Sequence, residues 1–272
     1  MAKIDKAKSS KALLGFGESL LKERNGKSVD FVEFENNPEQ MSANSLLLNN
    51  NFAFLLAVIY DQGQPAKMAW RYPYEFCKHI NNELPHTVTE QQLLDFICKN
   101  NLQKLDGIFL NTVFKLRNRR VACPDTIRAA NRVITEHDRC TSNIWKKGDP
   151  APQEIIERLE KFSGIAQKKS SMAMNILYRD LKLIDSMHAR HIDVSYDTHI
   201  KRVFKRIGLT ENGTFKETIN AARELNPCYP GSLDLPAWEI GRKYCHKSKT
   251  PECTECPIGQ TLCRHAKKSR GG

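Results

Sequence analysis

Residues 152–177 read PQEIIERLEKFSGIAQKKSSMAMNIL, and this stretch decides the fold. Apolar residues recur at helical spacing on both sides of a central turn: Ile155, Leu159 and Phe162, then Met172, Ala173, Ile176 and Leu177. Two helices joined by so short a turn form a helix–hairpin–helix, whose N–H groups at the start of the second helix can bind a phosphate. We therefore predict DNA contacts at Gly164, Ala166 and Lys169. An ordinary connection between two helices has the same pattern and remains the alternative.

The rest of the chain also has helical periodicity. Thr89 and Gln92 have the spacing of a capping box that opens a helix. Residues 200–207 place their apolar side chains on one face, and Gly208 is a natural C-terminal stop. A further helix is predicted to begin at Pro124. Because the alternating pattern typical of strands is scarce, the sequence predicts an all-α protein.

The composition is strongly basic. Lys and Arg number 42 against 31 Asp and Glu, a net charge of +11. This excess favours nucleic acid or an anionic membrane surface as a partner, although a soluble enzyme can also be basic without either. The longest apolar run, residues 52–60, has about half the length that a bilayer requires. No apolar segment follows the charged N-terminus. We expect an intracellular protein without a membrane partner, located in the cytoplasm or nucleoid if the source is prokaryotic.

The nine cysteines divide into five scattered residues and four close together. This distribution argues against a disulfide framework and for a reducing compartment. The last four have the spacing C-x7-C-x2-C-x6-C: Cys245, Cys253, Cys256 and Cys263. Four thiolates can hold a 4Fe–4S cluster or a zinc ion. The single C-x2-C pair in a compact loop favours the cluster, with zinc as the alternative and no metal as a third possibility.

Residues 242–272, around these cysteines, contain eight basic and only two acidic side chains. A loop held rigid by a metal can present such cations to phosphates. The alternative is that these residues only solubilise a terminal tail.

Asp197 stands directly before the amphipathic segment 200–207. Aspartate is a preferred helix N-cap, and capping alone would explain the residue. A carboxylate at a helix N-terminus stays ionised because the helix dipole and the N–H groups stabilise the anion. Such an anion can act as a base or stabilise a developing cation, which makes Asp197 a candidate catalytic residue.

The hairpin, the aspartate and the cysteine loop occur in an order that resembles the helix–hairpin–helix DNA glycosylase superfamily, in particular its endonuclease III-like branch with an iron–sulfur loop. FSGIAQK (162–168) resembles the family's Leu-Pro-Gly-Val-Gly-x-Lys. YDTHIKRV (196–203) is similar to Val-Asp-Thr-His-x-x-Arg-Val and is the most specific local match. IGRKYC (240–245) resembles the lead-in to the cluster, and LLAVIYDQ (55–62) resembles a helix whose glutamine enters the DNA stack. The resemblance extends over about residues 46–264.

This resemblance implies two helical domains that flank a DNA-binding cleft. A six-helix barrel with the helix–hairpin–helix would cover residues 52–187. Residues 1–51 and 188–272 would form a discontinuous cluster domain, with the four-cysteine loop at 245–263 and a structural 4Fe–4S cluster. The expected partner is double-stranded DNA containing a damaged or mispaired base, and the expected state is a monomer. Such enzymes flip the base out of the duplex and break its N-glycosidic bond.

The resemblance also implies roles for individual residues. Asp197 matches the aspartate that supports the oxocarbenium-like transition state and activates the nucleophile. Lys168 matches the lysine that attacks C1′ and forms a Schiff base, for which its pKa has to be lowered. Gln62 matches the inserted glutamine. Asp61 beside it is a candidate for contact with the flipped base, although a helix end facing solvent is the simpler interpretation.

Several positions depart from the family pattern. Ser163 replaces a proline and Ala166 replaces a glycine, which strains the hairpin if that position requires a positive φ. Ala57 stands where adenine-removing relatives carry a glutamate, which disfavours that specificity. Between Lys168 and Asp197 lie 28 residues, more than the family pattern has. These departures keep three alternatives open: a monofunctional glycosylase, an inactive damage-binding protein on the same scaffold, and a zinc-stabilised DNA-binding protein.

Overall fold

The computed structural model describes residues 6–23, 38–63, 65–111, 116–247, 251–259, 263 and 265–266. Within these ranges it contains no β-strand, and fourteen segments are α-helical. In chain order they are α1 (Lys6–Glu23), α2 (Pro38–Asn49), α3 (Asn51–Tyr60), α4 (Ala66–Ala69), α5 (Tyr72–Cys77), α6 (Glu90–Lys99), α7 (Leu102–Asn111), α8 (Leu116–Glu136), α9 (Asn143–Lys146), α10 (Pro152–Glu160), α11 (Gln167–Asn175), α12 (Thr198–Ile207), α13 (Phe215–Leu225) and α14 (Asp234–Lys243). The prediction of an all-α fold is confirmed.

The chain divides into two compact units. One is Gly26–Lys169, and the other combines Met1–Asn25 with Ser170–Gly272. The sequence predicts boundaries after residues 51 and 187, so the two divisions differ in where they assign residues 26–51 and 170–187. Within residues 26–51, helix α2 packs against α3 of the same unit. Within residues 170–187, the Asn175 amide donates a hydrogen bond to the Asp193 carbonyl at 2.8 Å. This bond attaches residues 170–187 to the chain that follows them.

Helix α3 lies at the centre of the Gly26–Lys169 unit. Its residues Phe52–Tyr60 are all buried, because a helix with no polar face has to be surrounded. Helices α5, α6 and α8 pack against it. Asn50 caps its N-terminus by accepting a hydrogen bond from the Ala53 N–H at 2.9 Å. Within the described residues, no single helix is long and apolar enough to cross a membrane. Helices α2 and α3 meet that criterion only as a pair, and they are bent by 108° at the break between them.

Helix α8 begins at Leu116, so the prediction that Pro124 opens this helix is wrong. Pro124 lies inside the helix, and the basic segment before it is helical as well. Just beyond the proline, the Thr126 hydroxyl donates to the Ala122 carbonyl at 2.7 Å. The same hydroxyl lies 2.6 Å from that of Tyr60, which joins α8 to the buried end of α3. Burial raises the pKa of Tyr60.

The second unit packs α1, α12, α13 and α14 around one apolar core. Its buried members include Leu13, Ile200, Val203, Phe204, Ile207, Ile219, Ala222, Leu233, Ala237 and Ile240. Helix α12 contributes the four residues that the apolar spacing of 200–207 predicts, and it ends at Gly208, which has a φ of 95°. The predicted amphipathic helix and its stop are therefore confirmed. The capping box at Thr89 and Gln92 is also present at the start of α6.

Candidate active site and cysteine loop

The predicted hairpin connects α10 to α11. Gly164 has a φ of +86°, and a Cβ built on it would lie 3.1 Å from Asp125 Oδ2. Only glycine adopts this backbone conformation without strain. Ile165 N–H closes the turn by donating to the Phe162 carbonyl at 3.0 Å. Ala166 is absent from the residues with positive φ, so the alanine that replaces the family's glycine is not strained.

The two lysines that follow the hairpin have different environments. The Lys168 side chain is 43% exposed. Lys169 is only 6% exposed, and its ammonium donates a hydrogen bond to the Ile59 carbonyl at 2.6 Å. Burial lowers the pKa of Lys169 to about 8, against an opposing contribution from the Asp61 carboxylate. The ammonium of Lys169 is turned inward onto α3, and the contact of Lys169 with DNA stays a prediction. The lysine with the lowered pKa is the buried one.

Asp61 ends helix α3 and lies against the hairpin lysines. Its backbone N–H caps the helix by donating to the Ala57 carbonyl at 3.1 Å. Its side chain is 10% exposed, and Oδ2 lies 3.7 Å from Lys168 Nζ. The interpretation of Asp61 as a solvent-facing helix end is wrong, since the carboxylate is buried and ion-paired. Gln62 beside it is exposed, and its role in the DNA stack stays a prediction, as does a base contact by Asp61.

In the second unit, Asp197 is the N-cap of α12. Its Oδ1 accepts hydrogen bonds from the N–H groups of His199 and Ile200, both at 2.8 Å. Its φ is −119°, extended as an N-cap requires. The side chain is half-buried. The cap orients the carboxylate through one oxygen, so the predicted N-cap is present at this helix N-terminus.

Asp234, the first residue of α14, fixes the segment that leads into Asp197. Its Oδ1 accepts a hydrogen bond from the Ser195 N–H at 2.6 Å and another from the Ser195 hydroxyl. Burial raises the pKa of Asp234 to about 6. Gly231 N–H donates to the Ile192 carbonyl at 2.8 Å, which holds the same segment at a point three residues before Ser195. The backbone before Asp197 is thus anchored to the start of α14.

The long segment between the two predicted catalytic residues is folded. Ile176–Asp180 forms a π-helical turn directly after α11, and Ser186–His191 forms a 3-10 helix. The Arg179 guanidinium donates to both Asp180 carboxylate oxygens, at 3.1 and 2.6 Å. The residues in excess of the family pattern therefore make a compact, internally paired connection.

All four predicted cysteine ligands line one cavity. Its walls are formed by residues of α12, α14 and the C-terminal loop: Val203, Arg206, Ile207, Ile240, Tyr244, Cys245, Pro251, Cys253, Cys256, Ile258, Gly259, Cys263 and His265. Arg206 Nη1 donates to Cys245 Sγ at 3.2 Å. Gly259 is required by the fold of this loop, because a Cβ there would lie 2.2 Å from the Cys253 carbonyl oxygen. Among the described residues, no group of three or more His, Cys, Asp or Glu is placed to hold a single metal ion.

The basic side chains near this loop are partly neutralised. Arg242 and Lys243 both pair with Glu239, at 3.1 and 3.2 Å. Arg242 also lies over the Trp238 ring, 4.9 Å from its centroid. Lys247 is exposed. The other basic residues counted from the sequence, Lys249, Arg264, Lys267, Lys268 and Arg270, lie outside the described residues.

Two solved structures are similar to this chain over almost its whole length. One is a non-covalent endonuclease III–DNA complex, with a TM-score of 0.59 and 16% sequence identity over 97% of this chain and 99% of that one. The other is a trapped endonuclease III–DNA covalent intermediate, an estranged-adenine complex. It has the same TM-score and identity over 96% of this chain and 98% of that one. The chain has the fold of endonuclease III. No family model and no curated protein sequence matches it.

On this endonuclease III fold, the predicted site residues form separate groups. Asp61, Gly164, Lys168 and Lys169 come together in the Gly26–Lys169 unit, while Asp197 and the four cysteines belong to the other unit. Sequence reasoning missed Asp125 under the hairpin, Asp234 behind Asp197, and Arg206 at the cysteine loop. None of these three belongs to a recognisable motif. Asp234 could have been noticed as the acidic first residue of α14, and Arg206 as part of the basic face of α12. No comparable signal marks Asp125.

Proposed function

We propose that the protein is a DNA repair glycosylase with Schiff-base AP lyase activity, acting as a monomer on duplex DNA that contains a damaged or mispaired base. The observation that carries the proposal is the placement of Lys168. Its half-exposed amine follows a glycine-turned hairpin and lies beside a buried carboxylate. The endonuclease III fold supports this proposal, as does the description of one structural neighbour as a covalent DNA intermediate.

The chemistry divides between Asp197 and Lys168. Breaking an N-glycosidic bond leaves positive charge on the sugar, and an anion oriented by a helix N-terminus stabilises that charge. The Asp197 carboxylate is oriented in this way by two N–H groups. The Lys168 amine then bonds to C1′ and forms a Schiff base, from which the strand is cleaved.

DNA binding is assigned to the hairpin and to the end of α3. The backbone at Gly164 and Ala166 contacts a phosphate, a contact that positions the duplex without reading its sequence. Gln62, exposed at the end of α3, fills the space left by the flipped base. The excess of basic residues supplies general attraction to the phosphates, which salt weakens.

Borohydride trapping on a duplex with one abasic site tests the lyase activity. Wild-type protein is expected to give a covalent protein–DNA adduct, and Lys168→Ala is expected to give none. Lys161→Ala is the matched control, since it removes one exposed positive charge from the same hairpin region and should trap normally. Undiminished trapping by Lys168→Ala would refute the lyase assignment. Release of a base from a damaged duplex, without trapping on the abasic duplex, would reduce the activity of the wild type to that of a monofunctional glycosylase.

We also propose that the four cysteines hold a 4Fe–4S cluster. They line one cavity, and the Arg206 guanidinium would stabilise a thiolate at Cys245. The cluster would supply structural support to the loop, with no redox step. We expect freshly purified protein to absorb visible light and to contain four iron and four sulfide ions per chain. A colourless protein with stoichiometric zinc would establish the alternative.

A further inference from the structure

Asp61 is a buried carboxylate in contact with the proposed nucleophile. Its side chain is 10% exposed, and its Oδ2 lies 3.7 Å from Lys168 Nζ. The backbone of Asp61 is fixed as the C-cap of α3, since its N–H donates to the carbonyls of Ala57 and Val58. The main chain that carries this carboxylate is therefore held at the end of α3.

The neighbouring charged groups already have other partners. The Lys169 ammonium donates to the Ile59 carbonyl at 2.6 Å. Asp125, the other carboxylate near Lys169, accepts a hydrogen bond from Arg128 at 2.6 Å. Of the two described lysines near Asp61, Lys169 is buried, whereas Lys168 is 43% exposed. Lys168 is therefore the one that a substrate can reach.

We propose that Asp61 is a catalytic residue that takes a proton from Lys168 and returns it during Schiff-base formation. This inference rests on the proposed lyase function and assigns the proton transfer of that reaction. A separation of 3.7 Å is longer than a hydrogen bond, but catalytic hydrogen bonds are often long until a substrate is bound.

The proton balance is complete for an abasic site. The Lys168 ammonium gives one proton to Asp61, and the free amine adds to the C1′ aldehyde to form a carbinolamine. The carboxylic acid then returns the proton to the C1′ hydroxyl, which leaves as water while the nitrogen lone pair forms the iminium bond. The ammonium and the aldehyde become an iminium and water, with Asp61 ionised again and no other reactant consumed.

The pH dependence of borohydride trapping tests this role on a duplex with one abasic site, under single-turnover conditions from about pH 6 to 9. In the wild type the proton moves within the ion pair, so the trapping rate is expected to change little with pH. In Asp61→Asn the amine has to be deprotonated by solvent. We expect a rate lower by roughly 100-fold near pH 7 that rises with pH. Asp61→Glu should restore part of the rate, because the carboxylate is kept.

The other outcomes overturn the inference. If Asp61 only pairs with the ammonium and does not take its proton, Asp61→Asn traps faster near pH 7. If Asp61 is only structural, the rate falls equally at every pH and Asp61→Glu behaves like Asp61→Asn. An unchanged rate also refutes the role. Asp95→Asn is the control, since it removes an exposed carboxylate paired with Arg139. Absence of trapping by the wild type would instead refute the proposed lyase function itself.

Discussion

At the residue scale, the adjacent residues Lys168 and Lys169 have the same side chain in two different environments. The Lys169 ammonium is buried against the Ile59 carbonyl, and its lowered pKa reflects the cost of keeping a charge there. Lys168 is half-exposed and faces a carboxylate. A lowered pKa alone would select Lys169 as the nucleophile. Access selects Lys168, because a nucleophile has to reach C1′.

Asp197 combines a structural and a proposed catalytic role, and two substitutions separate them. Asparagine is as good an N-cap as aspartate, so Asp197→Asn should keep almost the wild-type free energy of unfolding. Asp197→Ala removes the acceptor for two N–H groups and should cost about 1 kcal/mol. Urea denaturation measures both values. Equal losses for the two variants would show that the carboxylate charge, and not the cap, stabilises α12.

At the scale of elements, α12 connects the two functional features of its unit. Asp197 is its N-cap, and its Arg202 and Arg206 reach the chain around Cys245. Arg202 donates to the Gly241 carbonyl at 2.8 Å, and Arg206 donates to the His246 carbonyl at 2.9 Å. Gly241 allows this approach, because a Cβ there would lie 2.6 Å from His199 Cβ. Order in the cysteine loop is therefore coupled to the helix that holds the proposed catalytic aspartate.

The hairpin between α10 and α11 depends on its single left-handed residue. Gly164→Ala places a Cβ at a φ of +86°, 3.1 Å from Asp125 Oδ2, and should lower the free energy of unfolding by about 1–2 kcal/mol. It should also weaken binding to an abasic duplex, because it displaces the backbone that we propose binds a phosphate. Thermal unfolding and fluorescence anisotropy measure the two effects.

Ala166→Gly is the matched control for this hairpin. Since Ala166 does not have a positive φ, glycine there relieves no strain and should not stabilise the protein. A stabilised Ala166→Gly variant, or a Gly164→Ala variant with wild-type stability and affinity, would contradict this account of the turn.

Local chemistry made the elements predictable, and tertiary packing explains what was missed. The capping box at Thr89, the N-cap at Asp197 and the stop at Gly208 each follow from residues within one or two turns. The burial of Asp61 and Lys169 could not be predicted, because it results from the packing of α3 against the hairpin. The prediction at Pro124 was wrong because proline is common in the first turn of a helix, whereas here it lies inside α8.

At the scale of the whole molecule, the endonuclease III fold extends over 97% of the chain at only 16% identity. The residues that resemble the family lie at four sites: the end of α3, the hairpin, the N-terminal part of α12 with its N-cap, and the lead-in to the cysteine loop. The division into units assigns Lys168 to Gly26–Lys169 and Asp197 to the other unit.

The central claim is that the protein removes a base from DNA, and base release from a panel of duplexes tests it most directly. The panel contains oxidised pyrimidines, uracil, hypoxanthine and alkylated bases, each with its undamaged control. The account predicts that the wild type releases at least one of these bases, and that Asp197→Asn binds the same duplex but releases none. Release of no base by a wild-type protein that binds these duplexes, or undiminished release by Asp197→Asn, would contradict it.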